Sequence, residues 1–201
     1  MPNWCSTSYM IEGPHETLKK INDAILHHEV EEGSSPEWEG NILKALDIKW
    51  KRYDPDFPHQ RHSYMRGFIN EPPSLGENTL EFDAEEAWGV TDFGEVLEEN
   101  FPDIKVYFIA EEPGMEIYIT NDAEGKFFLT RYYVDTCIKN DYQSEYFETK
   151  EEAYKWLSDI TQGKITNEEQ VDDFNSDVEN IDDFIYVHEF KIVNDQKEIT
   201  Q

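Results

Sequence analysis

Positively charged residues are scarce in this chain. Its 201 residues include 17 Lys and Arg against 45 Asp and Glu, a formal net charge of −28. Proteins that bind DNA or RNA draw much of their affinity from Lys and Arg side chains that neutralise phosphates. A negative field instead repels nucleic acids and anionic membranes, and it attracts cationic partners. We therefore expect no direct binding to nucleic acid and none to membranes.

Cysteines and long apolar runs are scarce as well. Cys5 and Cys137 lie far apart and lack a metal-binding spacing, which favours two reduced structural thiols over one long-range disulfide. No apolar run approaches the roughly 20 residues that span a bilayer. Residues 1–5 lack the basic region and apolar segment of a secretory signal. These features predict a cytoplasmic protein.

Apolar residues make up 38% of the chain, and such a low share combined with high net charge is typical of disorder. Aromatic residues offset this, because they are 14% of the chain and bury large areas per residue. A chain of this length buries roughly 70% of its unfolded surface. We therefore expect residues 1–201 to form a single folded domain.

Helical spacing and helix-start signals predict five helices. The signals are Pro14, Ser35-Pro36, Thr91, and the capping boxes Thr149–Glu152 and Thr166–Glu169. Alternating apolar residues predict strands near 4–11, 64–69, 79–82, 105–110, 115–120, 126–134 and 184–193. The strands from 105 to 134 read as an antiparallel meander. This mixture predicts an α+β fold, with an irregular insertion at about 51–77 and an acidic C-terminal extension at about 143–201.

Two stretches of the sequence occur together in a known family. The first is Met1-Pro2-Asn3-Trp4-Cys5 followed by Glu12-Gly13-Pro14, and the second runs from Leu80-Glu81-Phe82 through Trp88 to Phe101-Pro102-Asp103 and Glu111-Glu112-Pro113-Gly114. Over about two-thirds of its length the chain resembles the Api92-like family, also described as YubB ferredoxin-like proteins. The resemblance implies a ferredoxin-like antiparallel sheet with helices on one face, plus insertions and extra C-terminal helices. It also implies a protein encoded on a phage or plasmid, and it brings no established activity and no catalytic residues.

Several candidate sites have a more ordinary explanation. His59 and His62, near Asp54 and Asp56, could hold a transition metal, but a solvated loop explains them better. Residues 173–177 imitate the start of a calcium loop, yet Val178 and Phe184 replace its required Gly and Glu. His188 lies in the alternating row of residues 184–192 and reads as a core or boundary residue. No phosphate loop, nucleophile elbow or zinc-protease motif is present, so we expect no catalytic residue, no metal and no cofactor.

The densest feature of the sequence is a run of carboxylates without an intervening Lys or Arg. Its members are Glu168, Glu169, Asp172, Asp173, Asp177, Glu179, Asp182 and Asp183. Such a run is ordinarily a solvated face. It could also imitate a row of phosphates and dock on a basic protein, which makes these eight residues the candidate partner-binding site.

Three functions remain open at this stage. A non-enzymatic module that binds a macromolecule is favoured, because the charge is large and catalytic motifs are missing. The alternative is an enzyme or small-ligand-binding protein with its site formed by the 51–77 loop over the sheet. A third hypothesis is an oligomer interface built from exposed aromatics among Tyr107, Tyr118 and Tyr132.

Overall fold

The computed structural model describes residues 3–52, 56, 62–70, 72–176 and 182–193. They fall into two compact units, residues 1–123 with 192–201 and residues 124–191. Both units combine helices with antiparallel strands, which confirms the predicted α+β class. The boundary lies at 123/124, whereas the sequence pattern places the start of the acidic extension near 143. That the whole chain forms one domain stays a prediction.

The helices of the described residues are α1 (His15–Leu26), α2 (Glu39–Ala45), α3 (Phe93–Asn100), α4 (Lys150–Ile160) and α5 (Glu168–Asn175). The strands are β1 (Trp4–Glu12), β2 (Gly67–Ile69), β3 (Ser74–Leu75), β4 (Thr79–Ala87), β5 (Lys105–Glu112), β6 (Ile117–Thr120), β7 (Tyr132–Ile138), β8 (Asp141–Phe147), β9 (Phe184–Glu189) and β10 (Lys191–Ile192). None of the helices in the described ranges has the length and apolar character needed to cross a membrane.

The first unit is organised around β1. Its sheet has the order β10-β6-β5-β1-β4-β2, and β3 pairs with Leu80 and Glu81 in the first half of β4. Strand β1 pairs antiparallel with both β4 and β5. Successive side chains of a strand point to opposite faces, so Thr7, Tyr9 and Ile11 enter the core while Trp4 and Ser6 stay outside. Helices α1, α2 and α3 contribute the opposing apolar side chains, among them Leu18, Leu43 and Leu97.

The second unit has the strand order β8-β7-β9, all antiparallel. Strands β7 and β8 are joined by Lys139 and Asn140, both with positive φ (55° and 62°), as in the two-residue hairpin turns that match strand twist. Helices α4 and α5 cover one face of these strands, where Val134, Leu157 and Ile185 are fully buried. The predicted capping box at Thr149 and Glu152 is confirmed at the start of α4.

The structure corrects several details of the predicted elements. The meander has only two of its expected strands, because β6 pairs with β5 while β7 begins at Tyr132 and pairs with β8 and β9. Helix α5 is capped by Asn167, whose side chain accepts a hydrogen bond from Gln170, and not by Thr166. Strand β8 was not predicted from the sequence; six of its seven residues are exposed, so it lacks the alternation of buried and exposed positions seen in β1.

Candidate functional site

An exposed aromatic surface of the second unit is the face of its sheet that α4 and α5 leave uncovered. Residues of β7, β8 and β9 that alternate with the buried ones project there, as the strand registers require. We call this surface the tyrosine face; it consists of Tyr133, Tyr142, Tyr146, Phe184, Tyr186 and His188 around Asp135.

Rings on the tyrosine face contact one another across neighbouring strands and along β9. Tyr133 lies 4.7 Å from Tyr146 and 6.0 Å from His188 between ring centroids, and Phe184 lies 5.1 Å from Tyr186. The rings remain open to solvent, because Tyr142, Tyr146 and Tyr186 are 73%, 47% and 51% exposed. Exposed, mutually packed aromatic rings of this kind are typical of interaction surfaces.

A carboxylate lies among these rings. Asp135 is opposite Ser144 on β8 and opposite Tyr186 on β9. Its Oδ1 atom lies 3.4 Å from His188 Nε2. A half-buried carboxylate bordered by aromatic rings offers a cation both a charge partner and ring faces.

The structure separates the eight predicted partner-binding residues. Glu168, Glu169, Asp172 and Asp173 are exposed on α5, at spacings that place them on one side of the helix. We call these four the α5 carboxylates. They belong to the helical layer, on the other side of the sheet from the tyrosine face. Glu168 also forms an ion pair with Lys150, with 3.2 Å between Oε2 and Nζ.

The other four predicted residues do not join this group. Asp182 is exposed, and Asp183 accepts a 2.9 Å hydrogen bond from the backbone N–H of Lys139 at the hairpin turn. Asp183 therefore has a structural role. Asp177 and Glu179 lie outside the described residues.

The remaining sequence candidates are only partly covered by the described residues. Of the proposed histidine pair, His62 is described and His59 lies outside the described residues. In the described ranges no three His, Cys, Asp or Glu residues converge as metal ligands. Cys5 and Cys137 are buried thiols, and burial raises the pKa of Cys5 to about 12, which disfavours the reactive thiolate.

The predicted aromatic interface was assigned to the wrong residues. Tyr118 is buried, and Tyr107 and Tyr132 are half-buried. The exposed tyrosines belong to β8 and β9 instead. Alternation of Tyr142, Ser144 and Tyr146 could have indicated them, as could the row containing Tyr186 and His188. From the sequence, His188 in that row reads as a core or boundary residue, because the pattern does not show that Ile185 and Val187 take the buried side.

The first unit contains two carboxyl groups buried side by side. Glu39 at the start of α2 and Glu86 near the end of β4 are both 0% exposed. Glu86 accepts hydrogen bonds from the Thr7 hydroxyl, from Tyr9 Oη at 2.8 Å, and from the Thr91 N–H and hydroxyl at 2.9 and 2.7 Å. We call Glu39 and Glu86 the carboxyl pair. Since neither is open to solvent, their role is structural.

The carboxyl pair must share one proton. Thr91 Oγ1 lies 2.7 Å from Glu86 Oε1 and 2.9 Å from Glu39 Oε2, yet a hydroxyl has one proton and donates to one acceptor. The second contact is a hydrogen bond when Glu39 carries a proton and donates to Oγ1. Burial, and then the charge of Glu86, raises the pKa of Glu39 well above its usual range. Burial also raises the pKa of Glu86, but the hydrogen bonds that this carboxylate accepts oppose the shift, so we assign the proton to Glu39.

Beside the carboxyl pair, the first unit has an open groove of about 520 Å³. Its principal lining residues are Trp4, Trp38, Met65, Arg66, Phe68 and Ala87. We call it the aromatic groove. Trp4 and Phe68 meet edge to face with 5.8 Å between ring centroids, and Trp38 Nε1 donates a 2.8 Å hydrogen bond to the Met65 carbonyl. The second half of the predicted 51–77 insertion thus forms one side of the groove.

Comparisons of this chain with models of known protein families, with curated proteins and with solved structures found no significant match.

Proposed function

We propose that this chain is a non-enzymatic module that binds a basic protein surface, and that the tyrosine face is its binding site. The observation that carries the proposal is the set of exposed rings around Asp135. Tyrosine is enriched at protein interfaces because its ring contributes a large contact area and its hydroxyl tolerates water.

The charge of the second unit favours a cationic partner. Residues 124–191 include 17 Asp and Glu against 7 Lys and Arg, a formal net charge of −10. Arginine stacks on aromatic rings and pairs with carboxylates through the same planar guanidinium group. Tyr186 and Asp135 are directly opposite in the β7–β9 register, so one arginine side chain could contact both.

The α5 carboxylates support a second binding mode on the same class of partner. Four exposed carboxylates on one side of a short helix could imitate a row of phosphates, as the sequence predicts. This mode differs in a testable way, because it depends on charge alone and not on aromatic contacts. Both modes weaken with salt, since exposed charges are screened beyond about 8 Å at physiological ionic strength.

The experiment measures binding of a fluorescent arginine-rich peptide to the full chain by anisotropy, at low and high salt. We expect Tyr186→Ala and Asp135→Asn each to weaken binding by about tenfold, because each removes one contact to a guanidinium group. Tyr186 is half exposed, so its removal should leave the fold intact, which circular dichroism would verify.

The matched control removes charge from the helical layer. Asp172→Asn changes the net charge by the same amount as Asp135→Asn, and both residues belong to the second unit. Weakening by Asp172→Asn but not by Tyr186→Ala would move the site to the α5 carboxylates. Absence of salt-sensitive binding to any basic peptide would refute the proposed function.

The proposal extends to membership of the Api92-like family, to a ferredoxin-like relationship of the first unit, and to a cytoplasmic location. Support for the family comes from residues 1–5 and from the segment between Leu80 and Gly114. Support for the fold relationship comes from the antiparallel sheet around β1, packed against α1, α2 and α3. If a phage or plasmid carries the gene for this chain, a role in blocking basic host proteins would fit that location.

A further inference from the structure

We propose that the aromatic groove of the first unit binds a small aromatic carboxylate, with Arg66 as the residue that recognises the carboxylate group. This site is independent of the proposed function, because every residue lining the groove belongs to the first unit. Its volume of about 520 Å³ falls in the range of small-molecule sites.

The walls of the groove favour a flat apolar ligand. Trp4, Trp38 and Phe68 present rings to it, and Met65 adds an adaptable apolar side chain. Trp4 is 44% exposed although it begins the central strand of the sheet. A planar ring placed here would stack on these side chains and remove them from water.

Arg66 supplies the charge. Its guanidinium carbon lies over the Trp88 ring, 4.3 Å from the ring centroid, in cation–π contact with the indole. Over the ranges that the structure describes, the guanidinium group forms no hydrogen bond or ion pair. A stacked, exposed guanidinium group keeps its N–H donors available for the two oxygens of a carboxylate.

The backbone at Trp88 is strained. Trp88 has φ of 61°, a left-handed conformation that is unfavourable for a bulky residue. Such strain persists where surrounding structure enforces it, and it is concentrated at functional sites. Here it holds the indole under Arg66.

Neighbouring charges orient the ligand. Glu81, Asp83 and Glu85 alternate along β4 on the side of the sheet away from the core. They would repel an anionic group placed farther along the strand. The carboxylate of a bound ligand therefore has its favourable position at Arg66, with the ring toward Trp4 and Phe68.

Buried contacts of the carboxyl pair support the elements that line the groove. Two groove residues are next in sequence to the carboxyl pair: Trp38 precedes Glu39, and Ala87 follows Glu86. A third groove residue, Arg66, precedes Gly67. Gly67 lies so close to Glu39 that a Cβ atom there would overlap its carboxyl group. Elements α2, β2 and β4 are thus joined beneath the groove, and a preformed site avoids the loss of entropy on ordering.

The test compares naphthoate with its neutral amide, naphthamide, by calorimetric titration of the full chain. We expect naphthoate to bind the unmodified chain at least about tenfold more tightly, as for a hydrogen bond to a charged group. Arg66→Gln should bring this ratio to about one and leave the affinity for naphthamide unchanged. Phe68→Ala should weaken both compounds.

Lys20→Gln is the matched control, because it removes a positive charge that also lies over an aromatic ring, 5.2 Å from the centroid of Phe101, but away from the groove. It should preserve the preference for naphthoate. Equal affinity for the two compounds, binding of neither at millimolar concentration, or an unchanged ratio in Arg66→Gln would overturn the proposal.

Discussion

The carboxyl pair predicts that Glu39→Gln will stabilise the protein increasingly as the pH rises. In the unfolded chain Glu39 loses its proton near pH 4.3, the ordinary value for glutamate. In the folded chain its pKa is raised well above this, by burial and by the charge of Glu86. Above the unfolded value the folded state therefore holds one more proton, and the free energy of unfolding falls with pH until the folded pKa is passed.

The slope gives the expected magnitude. One proton corresponds to about 1.4 kcal/mol for each pH unit between the two pKa values. Glutamine has the shape of protonated glutamate, and its amide can donate to Thr91 Oγ1 without titrating. The variant should therefore gain stability relative to the unmodified chain as the pH rises from 5, by at most about 2.7 kcal/mol at pH 7.

Urea unfolding at pH 5, 6 and 7, followed by tryptophan fluorescence, measures this difference. Titration of carboxylates that do not interact with Glu39 is common to both proteins and cancels. Glu86→Gln is the control: its amide nitrogen would face the donors of Thr7, Tyr9 and Thr91, so it should lose about 1–3 kcal/mol at each pH. A stability difference for Glu39→Gln that does not change with pH, or a rising gain in Glu86→Gln instead, would refute the assignment of the proton.

Three further predictions concern stability and are measured by the same unfolding assay at pH 7. Gly67→Ala should lose about 1–3 kcal/mol, because a Cβ atom would overlap the Glu39 carboxyl group; unchanged stability would mean that the pair moves freely. Lys139→Asn should gain up to about 1 kcal/mol, because asparagine tolerates the positive φ of 55° at this turn better than lysine; a loss would argue against the assigned turn. Thr149→Ala should lose about 1 kcal/mol by removing the hydroxyl that accepts from the Glu152 N–H, whereas Thr166→Ala should lose less because Asn167 is the cap of α5.

Elements with a strong local pattern could be predicted from the sequence. Strand β1 alternates regularly, α1 follows Pro14 with Leu18, Ile21 and Ile25 on its buried side, and the capping box at Thr149 marks α4. In each case the residues that define the element are close in sequence. The local sequence pattern and the burial seen in the structure then indicate the same helix or strand.

Features that depend on distant residues could not be predicted in this way. Glu39 and Glu86 are two acidic residues among 45, and no local pattern shows that both are buried beside Thr91. Strand β8 is defined by its pairing with β7 and not by its own composition. Likewise, alternation at Tyr186 and His188 shows that these residues share a face, but packing on α4 and α5 decides that this face is open.

The two proposed sites show how local geometry can override a common net charge. At the tyrosine face, Asp135 and the surrounding rings agree with the charge of the whole chain, so a cationic partner is attracted at long range as well as on contact. At the aromatic groove, an anionic ligand must approach against that charge. Screening confines the repulsion to short distances, and the stacked guanidinium group of Arg66 then provides attraction where the ligand binds. Added salt should therefore weaken peptide binding at the tyrosine face, but it should affect naphthoate binding at the groove much less.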